Sequence, residues 1–110
     1  MTFNEKLTAR VRAELSGVPK LEEKRMFGGV AFMVDGKLCV SVRNSRIMCR
    51  VDPEMHEELV QLKGCRTMTM KGRKYKGYVL VDEDVLRTRG ELHRWVKLAL
   101  DFNKNAKASK

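Results

Sequence analysis

Long apolar runs are missing from this chain of 110 residues. The longest uncharged stretch covers residues 26–34, nine positions, whereas a membrane-crossing helix needs ~20. No membrane partner is therefore expected. The first dozen residues are polar and contain no apolar core segment, so no cleavable signal peptide is expected either. Proline is scarce, with two residues against eight glycines, and 43% of positions are hydrophobic, which excludes a collagen-like or disordered chain. Cysteine is limited to Cys39, Cys49 and Cys65, an odd number with no C-x-x-C pair. Reduced thiols in a cytoplasmic protein are the simplest expectation. Length completes the exclusions: one domain fits, and a multidomain enzyme, a full (β/α)8 barrel or a long repeat array does not.

What is present reads as short elements. Thr2 and Glu5 have capping-box spacing, and Phe3, Leu7, Val11 and Leu15 then recur every four residues as a helical stripe. Gly17 and Pro19 stop that helix. Strands over 30–34 and 37–42 flank Asp35-Gly36, a pair suited to a type I′ turn because both central residues need φ > 0. Leu38, Val40 and Val42 alternate with Lys37, Cys39, Ser41 and Arg43. After Asn44-Ser45, Ile47, Cys49 and Val51 alternate with Arg46, Met48 and Arg50. Both patterns predict strands with one buried face. Asp52-Pro53-Glu54 opens a short helix that Gly64 ends. Two further strands, near 66–71 and 75–81, surround a turn at Gly72. Thr88 and Glu91 repeat the capping-box spacing and start a last helix whose stripe includes Leu92, Trp95, Val96, Ala99, Leu100 and Phe102. The predicted fold is α+β, a two-layer sandwich with a mainly antiparallel sheet in the order α-βββ-α-ββ-α. The domain is expected over 1–103, with 104–110 a disordered basic tail.

Charge is unevenly placed on that plan. The net charge is +9, from 23 Lys and Arg against 14 Asp and Glu. The tail lysines Lys104, Lys107 and Lys110 supply only three of these charges, so the body is basic. Residues 36–51 contain Lys37, Arg43, Arg46 and Arg50 without an acid. Residues 63–76 contain Lys63, Arg66, Lys71, Arg73, Lys74 and Lys76 without an acid. Alternation directs Lys37, Arg43, Arg46 and Arg50 away from the helices. A basic surface suits a polyanion or serves solubility alone. Arg43, Arg46, Arg50, Lys71, Arg73 and Lys74 are the candidate nucleic-acid contacts. With aromatics at 6%, such binding would rest on phosphate and carry little sequence specificity.

Catalytic signatures are not evident. A nucleophile needs a base and an orienting group, yet His56 and His93 belong to no such motif and are expected at the surface or partly packed. Cys39 has the parity of Lys37 and Arg43 and is expected to be exposed with a lowered pKa, whereas Cys49 has core parity. Three scattered cysteines and two histidines match no common zinc spacing, and no metal or cofactor is expected. Gly28-Gly29 fits no phosphate-binding loop and reads as a bulge or kink. Lys76-Gly77-Tyr78 starts like the RNA-recognition-motif signature, but Val79, Leu80 and Glu83 stand where that motif requires small and aromatic residues, so its stacking platform is missing. Met48 and Met33 point to the exposed side of the sheet, as adaptable contact residues or as ordinary packing.

Several segments together carry a family resemblance. Arg25-Met26-Phe27-Gly28-Gly29-Val30-Ala31-Phe32-Met33-Val34 and Gly36-Lys37-Leu38-Cys39-Val40 resemble the first hairpin of TfoX/Sxy N-terminal-domain proteins. Arg50-Val51-Asp52-Pro53-Glu54 resembles that family's strand-to-helix junction. Met70-Lys71-Gly72-Arg73 and Lys76-Gly77-Tyr78-Val79-Leu80-Val81 resemble its second hairpin, and Trp95 stands where its closing helix often has tryptophan. The resemblance spans about residues 5–102. It implies a two-layer sandwich related to secretion-chaperone-like domains. It also implies kinship with cytoplasmic bacterial regulators of natural competence, whose second, helical domain this chain is expected to lack. Met26, Phe27, Gly28 and Gly29 carry over as structural motif positions only. The expected function is a non-enzymatic regulatory or protein-interaction domain, with a regulatory protein or a second copy as partner. The alternative is a low-specificity nucleic-acid binder that uses a basic sheet face.

Overall fold

The computed structural model describes residues 5–26, 29–70 and 72–104. Three α-helices and six strands follow in the order α1 (Glu5–Glu14), β1 (Leu21–Met26), β2 (Gly29–Val34), β3 (Lys37–Val42), β4 (Arg46–Arg50), α2 (His56–Leu59), β5 (Cys65–Met70), β6 (Arg73–Asp82) and α3 (Arg89–Asn103). Single 3-10 turns at Pro53–Met55 and Glu83–Val85 precede α2 and α3. The sheet runs β1-β2-β3-β4-β6-β5, with antiparallel neighbours throughout. The α+β sandwich thus forms in the expected order, with one strand added. That strand is β1, whose sequence LEEKRM has four consecutive charged residues and no apolar alternation. It sits at the sheet edge, where charge is tolerated and discourages pairing with other chains.

Local signals act as their chemistry dictates. Asp35 and Gly36 hold φ of 55° and 75°, the left-handed pair that a type I′ hairpin needs. Asp52 Oδ1 accepts from the Glu54 N–H at 2.9 Å. Thr88 and Glu91 form a complete capping box at the start of α3. The corresponding box at α1 involves Thr2 and its stripe begins at Phe3, both outside the described residues. Gly29 opens β2 with its Cα against the neighbouring strand, and a Cβ there would meet the Val42 carbonyl oxygen. Of the other motif positions, Met26 ends β1 opposite Gly29, while Phe27 and Gly28 lie outside the described residues.

All three helices pack on one face of the sheet. Leu7 and Val11 come from α1, Leu15 directly follows it, Leu59 comes from α2, and Leu92, Trp95, Val96 and Ala99 come from α3. They meet Val30, Phe32, Val34, Val40, Val42, Ile47, Cys49, Val51, Val79 and Val81 in one core. Strand residues of the opposite parity face away, and no described element covers them.

One irregularity overturns part of the predicted alternation. Phe32 pairs with Val40 but Met33 pairs with Leu38, leaving Cys39 as an extra residue in β3. A one-residue bulge of this kind shifts every side chain before it to the other face. Cys39 is consequently fully buried in the core rather than exposed. Lys37 pairs with Val34 and turns toward the helices, where its Nζ donates to the Asn103 carbonyl at 3.1 Å. A cation at this position favours the carbonyl end of α3. Leu38 moves with Met33 to the uncovered face.

Candidate binding face

The uncovered face is built from the second parity of β2, β3, β4 and β6. Its floor is Ala31, Met33, Leu38, Ser41, Met48 and Leu80, and Met48 pairs across the sheet with Ser41 and Leu80. Ala31 is fully buried, and Met33 and Met48 are only 8% exposed. These three lie outside the core cluster that the helices complete. The two methionines have the predicted direction but are nearly buried rather than exposed.

Arginines of the same parity, Arg46 and Arg50, flank Met48 on β4. Arg43 and Arg46 close the β3–β4 hairpin through the Arg43 N–H and the Arg46 carbonyl at 3.0 Å, so both side chains leave the same side. Both are half-buried, as is Arg50. The Arg46 Nε is fully buried and donates to no partner, which is costly for a guanidinium donor. Arg50 lies four residues further along β4, about 13 Å away at strand rise. It pairs with Tyr78 of β6 and holds its guanidinium carbon 5.5 Å from the centre of that ring, within cation–π range. Tyr75 packs edge-on to Tyr78, with ring centres 6.3 Å apart and planes at 84°. Arg66 enters the same face from β5, opposite Leu80, and its Nη1 bridges to Asp82 at 3.1 Å.

The six residues predicted to contact nucleic acid are divided by this geometry. Arg43 and Arg46 sit at one end of the β4–β6 ladder, and Arg50 lies near its other end. Arg73 and Lys74 are exposed beyond Arg50, at the start of β6 in the β5–β6 hairpin. Lys71 lies outside the described residues. Arg66, Tyr78 and Tyr75 belong to the same face and were missed by the sequence reading. Arg66 had a signal in its acid-free segment. Tyr78 had one in the Lys76-Gly77-Tyr78 run, but its pairing with Tyr75 had none, because a break in the ladder brings the two rings together.

That break is a wide bulge in β6. Thr67 pairs with Val79 and Met68 pairs with Tyr75, so Lys76, Gly77 and Tyr78 arch out of the β5 ladder. Gly77 supplies the positive φ of 89° that the arch requires. His56 fills the gap. It is 3% exposed, not a surface histidine. Its Nδ1 accepts from the Gly77 N–H at 3.0 Å, which leaves Nε2 to carry the proton toward Thr67 Oγ1 at 2.9 Å. His93 does sit at the surface, with Nδ1 at 2.7 Å from Glu14 Oε1, tying α3 to α1.

The remaining reactive groups are buried or paired. Burial pushes the Cys39 thiol up to about 12 and Cys65 to about 11, and Cys49 rises well above the ordinary thiol range for the same reason. Cys39 therefore has a raised rather than a lowered pKa. A cleft of about 350 Å³ between α1 and the β1–β2 edge is lined by Glu5, Thr8, Arg12, Glu23, Lys24, Arg25 and Val30. Within it Arg12 grips Glu23 with two bonds of 2.7 Å and holds that carboxyl below its usual range. Neither histidine lines this cleft. Among the described residues, no group of three His, Cys, Asp or Glu is placed to hold a metal ion, and no helix is long and apolar enough to cross a membrane.

The family model of the TfoX N-terminal domain matches residues 13–103. No curated protein and no solved structure matches the chain.

Proposed function

We propose that the chain, which belongs to the TfoX N-terminal domain family, is a non-enzymatic regulatory or interaction domain that docks an anionic partner on its uncovered sheet face. The observation that carries this reading is the row of Arg43, Arg46, Arg50 and Arg66 over an apolar floor, on the one side of the sheet that no described helix protects. The strand acids of that face are few: Glu22 lies on the edge strand β1, and Asp82 is engaged by Arg66. The histidines support the same reading, since one holds the β6 bulge and the other joins two helices. Arginine suits the role because its planar fork pairs with carboxylate or phosphate and its stem covers apolar surface. Self-association through this face is disfavoured, because it would set like charges against one another.

Poly-L-glutamate tests the reading as a plain polyanion. The protein is expected to bind it with an affinity that falls as salt rises. Replacing Arg43, Arg46 and Arg50 together with Ser should lower the affinity at least tenfold, since each lost charge pair at an interface costs on the order of 1 kcal/mol. Replacing the exposed Lys6, Arg87 and Arg94 instead should change it by less than about twofold. Equal losses in the two variants would show a diffuse charge effect and remove the face from the account.

A further inference from the structure

Resting on that docking face, we infer that its anionic partner is a single-stranded nucleic acid, with Tyr78 and Tyr75 as the stacking platform between cations. The arrangement along the β4–β6 ladder is the argument. Arg43 and Arg46 stand at one end. About 13 Å along β4, Arg50 lies against the Tyr78 ring, and Tyr75 follows at right angles to Tyr78. Arg73, two residues before Tyr75 and of the same parity, then continues the cationic line into the β5–β6 hairpin, while Lys74 between them turns to the other face. Cations flank the aromatic pair along one strand pair, the combination of charge for the backbone and rings for the bases that single-strand binders use.

The rings distinguish this partner from an acidic protein and from a duplex. Carboxylates need cations but not an aromatic pair. In a duplex the bases are stacked and paired inside, so no base face is free to stack on a ring. Both tyrosines are half-buried, held by their edge-on contact with each other. The guanidinium over Tyr78 marks a ring face that accepts a flat, electron-poor group. A base stacked there would take the place of Arg50, whose guanidinium would turn to the neighbouring phosphate. Gly77 and His56 hold the arch that brings the rings together, so the platform depends on a buried support. This differs from the RNA-recognition motif, whose aromatic positions Val79, Leu80 and Glu83 fail to supply. Here Tyr75 comes from before the bulge and Tyr78 from its end.

The test uses the full chain and three fluorescein-labelled probes: a twelve-nucleotide oligothymidylate, a twelve-base-pair DNA duplex and poly-L-glutamate. Binding is read by anisotropy at two salt concentrations. The oligothymidylate is expected to bind at least tenfold more tightly than the duplex. Tyr78→Leu keeps the apolar bulk, and its thermal midpoint verifies folding. It should weaken oligothymidylate binding about tenfold, in the range of one lost base–aromatic stack, and leave poly-L-glutamate binding within about twofold. Tyr75→Leu provides a second variant should Tyr78→Leu fold poorly. Equal affinity for single strand and duplex, or tyrosine variants that fold yet bind oligothymidylate normally, would overturn the inference. If poly-L-glutamate still binds in an arginine-dependent manner, that outcome leaves the docking face standing. Loss of the arginine dependence for every probe would bring down both.

Discussion

At the residue scale, the thiols show how position overrides type. A cysteine beside Lys37 and Arg43 in an alternating strand should be exposed and reactive. One extra residue in β3 instead places Cys39 in the core, where no cation offsets the cost of a thiolate. The pH consequence has a definite sign. A thiol whose folded pKa lies above its unfolded value near 9 holds its proton more tightly when folded. The stability linked to Cys39 and Cys65 is therefore complete below about pH 8.5, and declines as pH rises through their folded values of about 12 and 11. The urea midpoint should consequently be lower at pH 10.5 than at pH 8, and native protein at pH 8 should react with a thiol reagent only as fast as it opens. Rapid modification of all three cysteines in the folded state would contradict this burial.

At the element scale, α2 has one turn and a specific task. It delivers His56 into the bulge of β6, where the ring accepts from Gly77 and meets Thr67. His56→Ala would leave the Gly77 N–H without its acceptor and open a small void. A loss of about 2 kcal/mol is expected, measured by urea unfolding. His93→Ala, at an exposed pair, should cost less than about 1 kcal/mol. Similar small effects for both would show that the bulge holds without the imidazole. The elements also show what could be read in advance. The Asp35-Gly36 turn, the Thr88 box and the Leu92–Trp95–Val96–Ala99 stripe depend on neighbours close in sequence, and all formed as read. Strand β1 was hidden because an edge strand needs no apolar alternation. The reversal at Lys37 and Leu38 was hidden because a bulge depends on how two strands align. The burial of His56 was hidden because its partners lie eleven and twenty-one residues away.

At the scale of the whole molecule, the fold segregates its chemistry. The helices, the core and the ion pairs Arg12–Glu23 and His93–Glu14 occupy one side, and the arginine row occupies the other. Two acid-free segments in the sequence announced a basic sheet. They could not announce that Lys37 would leave the face, that Arg66 would join it, or that two tyrosines would meet between the cations. The most direct test of this division is to follow backbone amide signals of the labelled protein by NMR while poly-L-glutamate is added at low salt. The account predicts shifts concentrated at Ser41–Arg43, Arg46–Arg50 and Tyr78–Leu80, with α1 and α3 unmoved. Shifts spread over the helices, with the arginine strands silent, would contradict it.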